Sequence, residues 1–219
     1  MKTYVYFHVG CVAHWEVVFE KLIALLHQSG LYDKVDKIKL GVLTTSPIQQ
    51  LYLDKIEVVY LSSDLSLYET PTIQALHEHA QEEDFYVLYI HSKGVTRQGH
   101  PGVVDWTRLL AHFNIERHEE CIAGLEAHDV VGVNLGGKPL HYSGNFWWSK
   151  STHLRTLPRL VYDCYNAPEY WVTSGPGKYL SLWESCVNHY EKRYLESEYM
   201  SCPSKPYTRV KYCNMKEES

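Results

Sequence analysis

Several enzyme classes are excluded by what this 219-residue chain lacks. Its six cysteines (Cys11, Cys121, Cys164, Cys186, Cys202 and Cys213) are scattered, with no Cys-x-x-Cys pair. That spacing argues against a zinc site or a disulfide framework and fits free thiols in a reducing compartment. No apolar run approaches the ~20 residues of a membrane-spanning helix, so no integral membrane segment is expected. The N-terminus lacks the profile of a secretory signal: Met1-Lys2 leads directly into Thr3-Tyr4-Val5-Tyr6-Phe7-His8-Val9, which reads as a buried strand. A cytoplasmic protein is the expectation. There is no basic excess either: 21 lysines and arginines against 26 acidic residues leave a net charge of −5. Nucleic acid is therefore not expected as a partner, although a local basic pocket remains open. Gly-x-Gly-x-x-Gly, a Walker loop and Gly-x-Ser-x-Gly are all missing, which removes most support for dinucleotide, P-loop and serine-hydrolase chemistry. Val9-Gly10-Cys11-Val12 is not the glycine-rich first loop that a Rossmann-type methyltransferase needs. His77-Glu78-His79 is a poor metal site, since positions i and i+2 of a helix face apart.

Tyrosine and tryptophan, in contrast, are plentiful: 18 and six, beside five phenylalanines. Each offers a flat apolar face with a polar edge, which suits sugar clefts and protein interfaces alike. Apolar residues make up 45% of the chain, as a soluble globular domain requires. Alternation and β-formers predict strands over 3–9, 37–43, 56–61, 85–90, 129–133 and 146–148. Helical spacing marks 15–26, 68–81 and 106–125, with 179–190 as a further candidate helix. Strands alternating with helices imply a single α/β domain over 1–202, with a mainly parallel central sheet flanked by helices. Residues 203–219 read as an extended or partly disordered tail.

Parallel sheets bind ligands beyond the carboxyl ends of their strands. The strongest local signal lies there: the apolar run 85–90 delivers His91, Ser92, Lys93 and Gly94 to the sheet edge. Lys93 with Arg97 can offset the charge of a diphosphate, because unit charges 4 Å apart interact by about 4 kcal/mol at an effective dielectric near 20. The bland alternative is a polar loop with a solvated lysine. A second signal is His141-Tyr142-Ser143-Gly144-Asn145-Phe146-Trp147-Trp148, where Gly144 and Asn145 beside indoles suit a hydroxyl-rich ligand; the tryptophans serve equally well as core. Third, Glu184 next to Trp183 is a candidate general base if half-buried, although such a glutamate is more often a salt-bridged surface residue. Asp105 and Arg108 read as an ion pair supporting the His91 loop.

Tyr68-Glu69-Thr70-Pro71-Thr72, Tyr89-Ile90-His91-Ser92-Lys93-Gly94, Asp105-Trp106 with Arg108, Val131-Gly132-Val133-Asn134 and the 141–148 string together resemble a family of glycosyltransferase-like proteins of the GT-A class over residues 3–160. The resemblance implies a Rossmann-like GT-A fold and transfer of a sugar from a nucleotide-diphosphate donor, uridine-linked, to a glycan, lipid or protein acceptor. It places His8, Gly10, Thr44 and Asp64 around the base and ribose, and Ser143-Gly144-Asn145 by the donor sugar. Members of the class hold Mn2+ or Mg2+ on the diphosphate with Asp-x-Asp, which occurs nowhere in this chain. Two alternatives stay open: Lys93 with Arg97 replaces the metal, or His91 and Asp64 hold it. Inversion at the anomeric carbon would require a base, for which Glu184 is the first candidate; retention would turn attention to Asn145. A non-catalytic carbohydrate- or nucleotide-binding module on the same fold is the competing expectation.

Overall fold

A computed structural model describes residues 1–46, 54–97 and 99–212. Strands β1 (Lys2–Gly10), β2 (Lys37–Leu43), β3 (Ile56–Ser62) and β4 (Phe85–His91) run parallel to one another. They share an eight-stranded sheet with β5 (Val130–Gly132), β8 (Trp147–Lys150), β9 (Gly177–Ser181) and β10 (Tyr207–Lys211), in the order β10-β9-β5-β8-β4-β1-β2-β3. Two strands break the parallel rule: β8 is antiparallel to β4 and β5, and β10 to β9. A short ribbon of β6 (Leu135–Gly136) and β7 (His141–Tyr142) stands apart. The fold is thus mixed α/β around a large, mostly parallel sheet, compatible with a Rossmann-like architecture.

The strands form where they do because both sheet faces are covered. In β1, Val5, Phe7 and Val9 enter one core with helix α1 (Trp15–Gln28) and helix α4 (Pro101–Ala111), whereas Tyr4 and Tyr6 enter the other with helix α3 (Thr70–Ala80). Period-two alternation into two apolar layers is why the strand reads as an unbroken apolar run. Trp147 and Trp148 obey the same rule, each completely buried, on opposite faces of β8.

The structure corrects one expected helix. Residues 177–181 form β9, parallel to β5 and antiparallel to β10, and the chain beyond is mainly loop up to Tyr190. Short apolar runs fit either period, and two flanking strands satisfy Tyr179 and Leu180 better than a helix could. Within the expected tail, residues 207–211 add the edge strand β10; Cys213 and the residues after it lie outside the described residues.

Helix α3 approaches the sheet so closely that only glycine fits at position 41 of β2. A Cβ there would lie 1.8 Å from Thr72 Oγ1, and that hydroxyl is 2.8 Å from Nδ1 of the buried His8. Gly41→Ala should lift α3 from the sheet and lower stability by ~1–3 kcal/mol, as overpacking does. Urea unfolding reads this directly; an unchanged midpoint would mean that the helix is free to shift.

Candidate functional site

The sheet order reverses between β1 and β4, since β2 and β3 follow on one side and β4 opens the other. Such a switch point leaves a crevice at the strands' carboxyl ends. Here His8 pairs with His91 at the tips of the two strands, and a cleft of about 530 Å³ opens directly above them. That is a common size for a small-molecule site. The two tips are locked together: Ser92 N donates to His8 O at 2.9 Å, and Ser92 Oγ accepts from Gly10 N at 3.0 Å.

One wall is cationic. Lys93 turns out of β4 so that its Nζ lies 3.7 Å from the centroid of Trp106. The Trp106 ring is stacked in turn on His189, 5.0 Å away and 6° from parallel. Arg97 lies over Tyr190 at 4.9 Å. Aromatic faces hold both cations without neutralising them, which leaves their charge available to a ligand. Burial lowers the pKa of Lys93; Glu169 and Glu69 act in the opposite direction, and Arg97 adds to the lowering.

The facing wall carries two carboxylates built around the Ser143-Gly144-Asn145 turn. Glu69 Oε2 accepts from Asn145 Nδ2 at 2.7 Å and from Tyr89 Oη at 2.8 Å. Its Oε1 faces His91 Nδ1 at 3.6 Å, beyond hydrogen-bond range. His91 Nε2 donates to Gly144 O at 3.1 Å, and Gly144 N donates to Glu169 Oε1 at 2.6 Å. Gly144 adopts φ 96°, and a Cβ on it would meet Leu110 Cδ1 at 2.6 Å, so both the turn and the approach of α4 require glycine. Asn145, itself at φ 55°, accepts from Trp147 Nε1 at 2.8 Å. Burial raises the pKa of Glu69, against the lowering effects of His8, Tyr89, Asn145 and Lys93. Tyr68, one residue earlier, has φ 46° and ψ −140°, a conformation that costs a bulky residue ~1–3 kcal/mol.

Burial pushes both histidines down, His8 to about 4 and His91 to about 3. Each therefore holds its proton less tightly folded than unfolded. The stability that they support is complete above pH 6.5 and is lost as the pH falls toward those values, because the unfolded chain binds more protons there. Thermal unfolding followed from pH 7 to pH 4 should show this loss, and a His8→Asn variant should reduce its slope by about 1.4 kcal/mol per pH unit; an unaltered slope would mean that His8 is not held neutral.

Of the residues expected from the sequence, His8, Gly10, His91, Ser92, Lys93, Gly94, Arg97 and Asn145 line this one cleft, with Gly144 in the turn beneath it. Others do not reach it. Glu184 is tied up elsewhere: its Oε1 accepts from Leu135 N at 2.7 Å, Ser181 Oγ at 2.6 Å and Tyr207 Oη at 2.9 Å. Asp64 is exposed and caps Ser66 at 2.9 Å. Thr44 bonds Ser46 O at 2.9 Å within its own turn. His141 bonds Pro139 O at 2.9 Å and packs on Tyr170, and Trp147 is core below Asn145. Asp105 pairs with Arg193 at 2.7 Å and Arg108 with Glu116 at 2.8 Å, rather than with each other.

Sequence reasoning missed Glu69, Glu169, Tyr165 and Tyr190. Glu69 had a usable signal: it immediately precedes Thr70-Pro71, a helix start at a sheet edge. Among the described residues, the side chains brought into the cleft do not fit a divalent cation. Asp64 and His91 are not brought together in the cleft, Lys93 reaches into it with its Nζ over the Trp106 ring, and no group of three or more His, Cys, Asp or Glu among the described residues is placed to hold a metal ion. Among the described residues, no helix is long and apolar enough to cross a membrane.

Residues 26–161 match the family model described as Domain of unknown function (DUF8361). No curated protein and no solved structure matches the chain.

Proposed function

The chain belongs to the DUF8361 family, and for this member we propose a nucleotide-sugar glycosyltransferase of GT-A type that works without a metal on the donor diphosphate. One observation carries the reading: at the switch point of a mostly parallel sheet, two cations seated on aromatic rings share a cleft of ligand size with two carboxylates. The diphosphate of a UDP-sugar lies against Lys93 and Arg97, with the Gly10 and Ser92 backbone beside it. The sugar lies over the Asn145 turn, where Asn145 and Glu169 meet its hydroxyls.

Transfer is a single displacement. The acceptor oxygen bonds to the anomeric carbon as the bond from that carbon to the diphosphate oxygen breaks. The bonding electron pair leaves with the diphosphate, whose growing charge the Lys93 and Arg97 cations offset. The acceptor's proton passes to Glu69, whose Oε2 is anchored by Tyr89 and Asn145 and whose Oε1 remains free. A carboxylate with a raised pKa suits that role, because a base works best with its pKa near the operating pH. Direct displacement inverts the anomeric centre.

Thermal shift against UDP-, GDP-, CDP- and TDP-sugars, in EDTA and in Mn2+, tests this. A bound donor at a hundredfold excess over Kd stabilises by about 2.7 kcal/mol. The expected result is a UDP-sugar shift that persists in EDTA, with slow release of UDP. No shift with any of the four would overturn the reading. A shift and turnover that appear only with Mn2+ would overturn the metal-free arrangement, and a shift without UDP release would favour a binding module.

A further inference from the structure

Tyr68, Tyr162 and Tyr165 make an aromatic corner at the cleft mouth. The rings of Tyr68 and Tyr162 stack with centroids 5.7 Å apart and planes 23° from parallel. Tyr165 meets Tyr68 at 86°, with centroids 5.2 Å apart. All three are exposed, Tyr165 to 70%, and Tyr68 and Tyr165 line the cleft itself. Rings that pack for stability are shielded from water, and these are not. Yet Tyr68 is held in the strained backbone conformation described above, directly before Glu69. Strain at a residue that burial does not reward points toward a ligand.

Charge indicates which ligand. Lys93 and Arg97 make the β4 side of the cleft cationic, whereas Tyr165 lies within electrostatic reach of Glu69 and Glu169. An anionic group would be repelled from this corner. An aliphatic partner would strip water from the second oxygen of each carboxylate, Glu69 Oε1 and Glu169 Oε2, and offer no hydrogen bond in its place. A neutral sugar ring meets both demands: its C–H face lies on a phenol ring while its hydroxyls reach carboxylate, phenol and Asn166 oxygens. We infer that the Tyr68–Tyr165 corner is the acceptor subsite and that the acceptor is an uncharged saccharide whose terminal ring stacks there. The inference rests on the glycosyltransferase reading of the cleft, and it divides that cleft into an anion-binding donor half and a tyrosine-lined acceptor half.

Saturation-transfer NMR with maltotriose, cellotriose, chitotriose and mannotriose, and separately with UDP, tests it. At least one trisaccharide should bind the parent protein. Tyr165→Ala and Tyr68→Gly should each weaken it tenfold or more, by a larger factor than either weakens UDP. Tyr212→Ala, at an equally open ring beyond the edge strand β10, should not. Tyr68→Gly also relieves the backbone, so its melting temperature should hold or rise, separating lost binding from lost folding. Silence of all four saccharides on protein that binds UDP, or binding that survives both substitutions, overturns the tyrosine subsite and leaves the donor reading standing. Saccharide binding at the corner without UDP binding supports a saccharide site there but overturns both the transferase and the acceptor role.

Discussion

Replacing Lys93 with methionine is expected to weaken UDP binding at least a hundredfold while raising the melting temperature. The first effect is Coulombic. A cation 4 Å from a phosphate oxygen contributes about 4 kcal/mol at an effective dielectric near 20, and a hundredfold in affinity needs only about 2.7 kcal/mol. The second effect follows from the direction of the lysine's shift. Burial lowers its pKa, so the folded protein holds that proton less tightly than the unfolded chain does. The cost is present at neutral pH and disappears only as the pH climbs toward the ordinary lysine value. Methionine removes the charge and keeps a flexible, polarisable chain against the Trp106 face. Calorimetric titration with UDP and a thermal melt at pH 7 read both halves. Affinity within threefold of the parent, or a melting temperature that falls with the affinity, would mean that Lys93 is structural and the cationic wall does not grip phosphate.

Glu69→Gln should slow transfer by about 10²- to 10⁴-fold, the usual contribution of a positioned base. The amide keeps an oxygen for Tyr89 and Asn145 but cannot take the acceptor's proton. The acid limb of the parent pH–rate profile should disappear in the variant. A stability signature accompanies it. Since burial raises the Glu69 pKa, the folded state favours the protonated carboxyl, and stability is lost as the pH rises through the folded value. The glutamine variant should therefore gain melting temperature over the parent at pH 8 more than at pH 4. Glu184→Gln makes the contrast. It should keep its turnover and lose stability, because the Glu184 carboxylate joins Leu135, Ser181 and Tyr207 from three different strands. If Glu184→Gln is the slow variant and Glu69→Gln is not, the base assignment reverses.

The placement of Glu184 shows where a sequence stops being informative. A half-buried glutamate beside an indole fits a base and a structural tie equally well, and the donors around Glu184 come from strands that local reading cannot juxtapose. Lys93 was accessible because its position is local: an unbroken apolar strand ends, and the next residues must emerge at the sheet edge. Tyr165 and Glu169 had no such marker. They reach the cleft from a loop and the short helix α7 (Ala167–Trp171), brought in by packing of the chain beyond β8. The tryptophans illustrate the same limit, since Trp147 and Trp148 are interchangeable as letters and both proved to be core.

The strand and helix periods, the layered α/β class and the His91–Gly94 edge loop are properties of neighbouring residues, and apolar patterning is sufficient to specify them. Which carboxylates enter the cleft, which lysine lies over a ring there and which tyrosines face water depend on charges and surfaces that meet through space. Electrostatic energy varies with distance and burial, not with separation along the chain, so those answers came into being when α3, β4 and the Asn145 turn closed around one cleft.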